Sequence, residues 1–433
     1  MEYMNKKCSC GKEHTATVDK VIVGSGVVSQ LPDILKQYGI EKPFILSDKN
    51  TFEAAGKRVC DTLEAEDIPF SSYTFKEDTI EPDEHFVGSA VMHFDIKCDA
   101  VIGIGSGVIN DISKILSSVT DRKYIIVATA PSMDGYASIL SSVAMDGLKV
   151  SLPSKCAQVI IGDTDILKNA PLKMLKAGIG DMLAKYVSVC EWRISHLITG
   201  EYYCEDIANY IRDAVKCCVD NADGLLRRES AAVEAVFRGL VSGGIAMAYA
   251  GMSRPASGVE HYFSHLWDMR GLEFGTPVDL HGIQTAIGTL ISVKLYEQMR
   301  RIIPDRQKAL NYAKEFDIDV WNRQLSEFLG KGANAMIALD KKEQKYCTEK
   351  HRIRLETIIE KWNDIINIMN EELPSYEFLL SLMKKLEMPT TVDEIGLDSG
   401  ILSMSFKATK DIRDKYVLSR LAWDLGVIEE MEI

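Results

Sequence analysis

Three of the chain's eight histidines fall between His261 and His281, the densest chemical signal in the sequence. His261 and His265 are spaced i, i+4, so a helix would present both on one face, as two ligands of one metal require. His281 follows the Gly275-Thr276-Pro277 turn and opens a separate helix, and Glu260 and Asp268 lie alongside the pair. A Lewis-acidic divalent ion also wants a hard oxygen ligand. Gly178-Ile179-Gly180-Asp181 offers one, a carboxylate at a helix start followed by an apolar face at Leu183, Ala184 and Val187. One Asp with two His forms an open-sided site with a position left for a substrate oxygen. The bland alternatives are a first-turn carboxylate favoured by the helix dipole and histidines that serve only packing. Spacing alone does not decide which histidines ligate.

The second constellation is the loop Gly103-Ile104-Gly105-Ser106-Gly107-Val108-Ile109-Asn110-Asp111, which follows a buried strand and opens a helix through Ile112, Ile115 and Leu116. Such a loop binds a pyrophosphate on backbone N–H groups and a helix N-terminus, with glycine needed where phosphate oxygens approach the backbone. It departs from the dinucleotide fingerprint, because Asn110 stands near the third glycine position and the loop is not at the first strand–helix turn. A tight turn using glycine for packing alone is the competing reading. The next strand runs into Thr129-Ala130-Pro131-Ser132-Met133-Asp134-Gly135-Tyr136-Ala137-Ser138. Small polar residues beyond a strand's carboxyl end face the ligand crevice of a doubly wound sheet. Thr129, Ser132 and Ser138 could bond ribose or nicotinamide, and Asp134 a substrate hydroxyl. Asp48, just past the second strand, could hold the adenosine ribose hydroxyls and repel a 2′-phosphate, favouring NAD over NADP. Ser253, Arg254 and Ser257 could hold a substrate phosphate, unless Arg254 pairs at the surface. Cys8-Ser9-Cys10 with His14 resembles a small metal clip.

These residues need a scaffold, and the sequence describes one. Over residues 1–168 short apolar runs alternate with amphipathic segments, predicting a Rossmann-like α/β domain with a parallel sheet and crossover helices. Strands are predicted at Lys20–Val23, Pro43–Ser47, Ala100–Ile104, Tyr124–Ala128 and Gln158–Ile161. Over residues 169–433 helical spacing dominates, in windows such as Gly180–His196, Ala231–Met247, Leu280–Arg300 and Glu349–Asn370, predicting an all-α metal- and substrate-binding domain. The 433 residues suit two domains. Fifty Lys and Arg against 63 Asp and Glu leave a net charge of −13, which disfavours nucleic acid as a partner. Ten cysteines, mostly single within apolar stretches, read as reduced thiols of a reducing compartment. Met1–His14 lacks the apolar core of a signal peptide, and no uninterrupted apolar run approaches the ~18–20 residues of a membrane span, so a cytoplasmic location is expected.

Taken together, Gly105-Ser106-Gly107, the Thr129–Ser138 stretch, Gly180-Asp181 and Ser253-Arg254-Pro255-Ala256-Ser257-Gly258-Val259-Glu260-His261-Tyr262-Phe263-Ser264-His265 resemble the sn-glycerol-1-phosphate dehydrogenase family. Its superfamily includes glycerol dehydrogenases, iron-dependent alcohol dehydrogenases and dehydroquinate synthases. The likeness runs from about Val21 to the last helix, and the N-terminal Cys-Ser-Cys-Gly…His element is similar to one in bacterial members. The resemblance implies that Asp181, His261 and His281 bind one divalent metal ion per subunit, zinc, nickel or iron, while His265 contacts substrate. Asp134 would touch substrate, and Asp181 would be shared between metal and substrate. The cofactor NAD(P) would lie against Asp48, the Gly105-Ser106-Gly107-Val108-Ile109-Asn110-Asp111 turn, Thr129-Ala130-Pro131-Ser132 and Ser138. The implied reaction is reversible NAD(P)H-linked reduction of dihydroxyacetone phosphate to sn-glycerol 1-phosphate in glycerophospholipid metabolism, by a homodimer. Arg270–Phe274 looks longer than in archaeal members. The rivals are a dehydroquinate-synthase-like lyase with bound NAD and a glycerol or polyol dehydrogenase. A catalytically silent nucleotide-binding module would have a disrupted Asp181, His261 and His281 set, and all three are present.

Overall fold

The computed structural model describes residues 8–16, 18–145 and 148–433. All five expected strands form, with a sixth, in one parallel sheet: β1 (Lys20–Gly24), β2 (Pro43–Asp48), β3 (Ser71–Phe75), β4 (Ala100–Gly105), β5 (Lys123–Ala128) and β8 (Val159–Asp163), in the order β1-β8-β5-β4-β2-β3. Between β5 and β8 lies an antiparallel hairpin of β6 (Leu140–Met145) and β7 (Leu148–Pro153). Every residue of β4 is buried, as a continuous apolar run predicts for a strand covered on both faces. One face packs Ile45, Ile102, Ile104, Ile125, Val127 and Ile161 against Leu31, Ile34, Leu35, Val59 and Leu63 of the preceding helical segments. The polar β3, Ser-Ser-Tyr-Thr-Phe, buries only Phe75 and had no apolar signature to betray it. From β2 the chain steps outward to β3, then returns to place β4 on the other side of β2. That reversal opens a crevice at the carboxyl ends of β2 and β4, the usual ligand position in such sheets.

The chain divides into two compact units, Met1–Met182 with Asn209–Met252, and Leu183–Ala208 with Ser253–Ile433. The first holds the sheet, α1 (Gly107–Val119), the residues to Met182 of α2 (Leu172–Leu183), and α4 (Ser230–Ala250). Helix α4 is long and apolar enough to cross a membrane, but 72% of its apolar window is buried inside the protein. It is the helix expected over Ala231–Met247, extended by a residue or a few at each end, and within the fold it is a core helix. Glycines on both sides of its contacts allow close packing: a Cβ on Gly162 of β8 would lie 2.2 Å from Phe237 of α4, and one on Gly244 of α4 would lie 2.7 Å from Ala137.

The second unit is helical among its described residues and includes α3 (Lys185–Thr199), α5 (Val259–Phe274) and α6 (His281–Met299). The expected Gly180–His196 helix is in fact two, α2 and α3, interrupted at Ala184. Residues 270–274 simply extend α5 to Phe274, where Gly275 at φ 68° terminates it in the left-handed conformation that glycine adopts without strain. Five residues without regular structure, 276–280, then lead to α6 at His281. The two helices pack closely because Gly288 has no side chain: a Cβ there would lie 2.5 Å from the Glu260 carbonyl oxygen.

Candidate active site

In the first unit the glycine loop joins β4 to α1. Ser106 caps α1 without a side-chain hydrogen bond to the helix, leaving the first-turn N–H groups to other partners. Gly105 must be glycine, because its Cβ would lie 2.5 Å from Ile109, which is itself buried in the packing. Asn110 is fully buried and spends its amide internally, donating to the Gly135 carbonyl at 3.1 Å and accepting the Tyr124 hydroxyl at 2.9 Å. It therefore joins the glycine loop to the Asp134–Ser138 segment. Asp111 lies 3.4 Å from Lys114 Nζ and receives the Ser142 N–H at 3.3 Å. Lys114, which sequence reading missed, is wholly buried and donates to the carbonyls of Gly135 and Leu140 at 2.6 and 3.1 Å. Its apolar neighbours in a helical pattern gave no hint of that role.

Asp48 ends β2 and caps the following turn through a capping box, its Oδ1 receiving the Thr51 N–H at 2.9 Å. Thr129 and Ser132 are buried, the Thr129 N–H bonded to Gly105 and the Ser132 N–H to Ala130, each at 3.1 Å. Ser138 receives the Leu140 N–H on its hydroxyl at 3.0 Å. Asp181 is fully buried in the last turn of α2, not at a helix start, and accepts the Asp134 N–H at 2.9 Å. Gly178, one of the glycines flanking this carboxylate in sequence, permits the arrangement: a Cβ there would stand 1.9 Å from the Pro131 carbonyl oxygen.

In the second unit α5 and α6 bring three imidazoles together. Ring centroids of His261 and His281 are 5.1 Å apart, those of His265 and His281 5.9 Å, and those of His261 and His265 6.4 Å. His261 Nδ1–H donates to Glu260 Oε1 at 2.7 Å, and Glu260 also receives the Gly258 N–H at 2.7 Å. His281 Nδ1 meets the Ser264 hydroxyl at 3.2 Å. Gln284 Nε2 donates to that hydroxyl at 3.1 Å and to Asp268 Oδ1 at 2.7 Å. Both imidazoles thus have their Nδ1 engaged by an oriented oxygen: the Glu260 carboxylate, which only accepts, fixes the tautomer of His261, and the Ser264 hydroxyl orients the ring of His281. Gln284 stands three residues after His281 on α6, a spacing that could have revealed it.

Behind the histidines lies a buried charged layer. Glu191 accepts N–H groups from Val259 and Leu418 at 2.9 and 2.7 Å, yet burial and the Glu260 charge push its pKa up to about 8. Burial, with the Arg254 charge adding, lowers Lys415 to about 7, and its ammonium donates to the Ser257 carbonyl at 2.7 Å. Arg254 corrects the sequence reading. It is neither a surface residue nor disposed to hold a phosphate: it is 1% exposed, paired with Glu201 at 2.7 Å, and bonded to Ser195 and the Tyr416 carbonyl.

Residues 22–171 match the iron-containing alcohol dehydrogenase family. A glycerol-1-phosphate dehydrogenase [NAD(P)+] from Halalkalibacterium halodurans is 32% identical over 299 residues, covering 68% of this chain and 75% of that protein. The protein of the same name from Geobacillus thermodenitrificans is 26% identical over 411 residues, covering 94% and 93%. Among solved structures, glycerol dehydrogenase from Schizosaccharomyces pombe aligns with a TM-score of 0.60 at 16% identity, over 97% of this chain and 91% of its own, a likeness of fold.

Proposed function

This chain belongs to the glycerol-1-phosphate dehydrogenase [NAD(P)+] family, and we propose that it reversibly reduces dihydroxyacetone phosphate to sn-glycerol 1-phosphate with NAD(P)H. The observation that carries the reading is the pair His261 and His281, each with Nδ1 held by an oxygen that is itself anchored. Two imidazoles so oriented suit a divalent zinc, nickel or iron ion, and the family membership makes the buried Asp181 carboxylate our choice of third donor. When bound, that ion supplies Lewis-acid polarisation of the substrate carbonyl and the nicotinamide supplies the hydride.

The chain's own residues do the rest. Glu260 and Ser264 hold the two ligating rings, and the Asp134 N–H holds Asp181. Asp134 orients a substrate hydroxyl. His265, stacked on His281, carries the proton exchanged with the product hydroxyl. The N–H groups opening α1 receive the pyrophosphate, Asp48 the adenosine ribose, and Thr129–Ser132 with Ser138 the nicotinamide end. Asn110 and Lys114 act as positioning residues, keeping the glycine loop and the Asp134 segment in register. We place the enzyme in the cytoplasm, as a homodimer.

Substrate-dependent NADH loss tests the assignment. Dihydroxyacetone phosphate should drive it and unphosphorylated dihydroxyacetone should not. Equal rates on both would indicate a polyol dehydrogenase, and no net NADH loss would indicate a lyase.

A further inference from the structure

The N-terminal Cys-x-Cys-x-x-x-His segment takes no part in the reaction proposed above. From it we infer a second metal site in which Cys8, Cys10 and His14 hold a thiolate-preferring divalent cation of the zinc class. Cys8 and Cys10 lie on one tight turn, and His14 follows two residues after it. The Gly11 N–H bonds the Cys8 carbonyl at 3.0 Å and the Cys8 N–H bonds the Lys12 carbonyl at 3.2 Å. Gly11 sits at φ +82°, so only glycine closes this turn without strain.

His14 supplies the decisive detail. It is 1% exposed, and its Nδ1 lies 3.0 Å from the carbonyl oxygen of Tyr249 in α4. A carbonyl only accepts, so Nδ1 carries the proton and Nε2 carries the lone pair. That Nε2 faces Cys10 Sγ at 3.4 Å. Tetrahedral zinc, with metal–sulfur near 2.3 Å and metal–nitrogen near 2.0 Å, separates such a pair by about 3.5 Å. A carbonyl holding the remote nitrogen is the outer-shell support seen behind ligating histidines. Cys8, which opens the turn, is itself buried. On binding, the two thiols lose their protons to solvent and coordinate as thiolates, with no redox change. A fourth donor or water completes the shell. The ion would tie the N-terminal segment to α4 within the first unit, and its soft donor set separates it from the oxygen- and nitrogen-ligated ion of the active site.

Cobalt(II) reconstitution of the full chain distinguishes the two sites, because only sulfur ligands give intense thiolate-to-metal charge-transfer absorption. The parent protein and His281→Ala should both show the band. The double substitution Cys8→Ser with Cys10→Ser should abolish it while NADH binding persists. His14→Ala should weaken Co2+ binding at least tenfold, and His14→Cys, which keeps a donor, should restore it. A parent protein without the band, or a band unchanged in the double variant, overturns the inference. A simple sulfur–imidazole hydrogen bond would give the former result. If the double variant does not fold, the His14→Ala and His14→Cys pair decides: equal Co2+ affinity in both contradicts the site. Loss of dehydrogenase activity in His281→Ala bears on the catalytic reading alone.

Discussion

Gly178 offers a test in which the sign of the effect discriminates between explanations. Glycine within a helix costs roughly 1 kcal/mol relative to alanine, so replacing it should stabilise the protein wherever the space is open. Gly88, in the helix Glu84–His93, is such a place, with nothing within 4 Å of an added Cβ. Gly178 is the opposite case: its Cβ would meet the Pro131 carbonyl oxygen at 1.9 Å and Val236 at 2.9 Å. Ordinary contact begins near 3.4 Å, so α2 or the Pro131 loop must retreat by about 1.5 Å. Overpacking of that kind costs typically 1–3 kcal/mol, enough to cancel or exceed the helix gain. The displaced loop also carries Thr129–Ser132, proposed to hold the nicotinamide end. A misplacement of about 1 Å can lower turnover on the order of a hundredfold. In urea titrations Gly88→Ala should be more stable than the parent by about 0.5–1 kcal/mol, and Gly178→Ala no more stable than the parent and less stable by up to about 2 kcal/mol, with kcat/KM for NADH reduced at least tenfold. A Gly178→Ala protein as stable and active as Gly88→Ala would refute the packing argument.

Other outcomes follow from the same geometry. Glu260→Gln, which weakens the acceptor holding His261 Nδ1, should lower active-site metal affinity by about 10–100-fold in a competitive chelator titration while the far-UV spectrum is unchanged. Asp48→Ser keeps an N-cap oxygen but removes the charge, so KM for NADH should rise and the preference over NADPH should narrow in steady-state assays. Glu191 titrates near 8 in the fold and near 4.5 when unfolded, so its contribution to stability is present at low pH and lost as pH rises through 8. Thermal unfolding at about pH 5 to 9 should therefore show a steeper decline for the parent than for Glu191→Gln; parallel curves would mean that Glu191 carries no such penalty.

Much of this was legible in the sequence because two periodicities were strong. Runs such as Ala100–Ile104 and Tyr124–Ala128 have no polar interruption, and a strand covered on both faces produces that pattern. The i, i+4 pair His261 and His265 and the turn before His281 marked the imidazole cluster, because local spacing controls which side chains share a face. What escaped was set by tertiary context. Strand β3 is an edge strand whose Ser-Ser-Tyr-Thr residues satisfy its sheet bonds with little burial. Lys114 drew no reading and Arg254 suggested a phosphate holder or a surface pair, yet each is buried with hydrogen bonds to carbonyls or a carboxylate far along the chain. Gly178 read as one glycine of a flanking pair, and only the approach of Pro131, 47 positions earlier, shows why a side chain cannot stand there. The supports of His281 were half visible: Asp268 stood out as an acid near the histidines, whereas Gln284 and Ser264, which link it to the ring, carry no charge to draw notice.

The most direct test of the proposed activity is the handedness of its product. The metal-loaded protein, given dihydroxyacetone phosphate and NADH, should consume one NADH per product and accumulate a glycerol phosphate that an sn-glycerol-3-phosphate-specific dehydrogenase does not oxidise. His281→Ala should form none. A product oxidised by that enzyme, or full turnover by His281→Ala, would contradict the account.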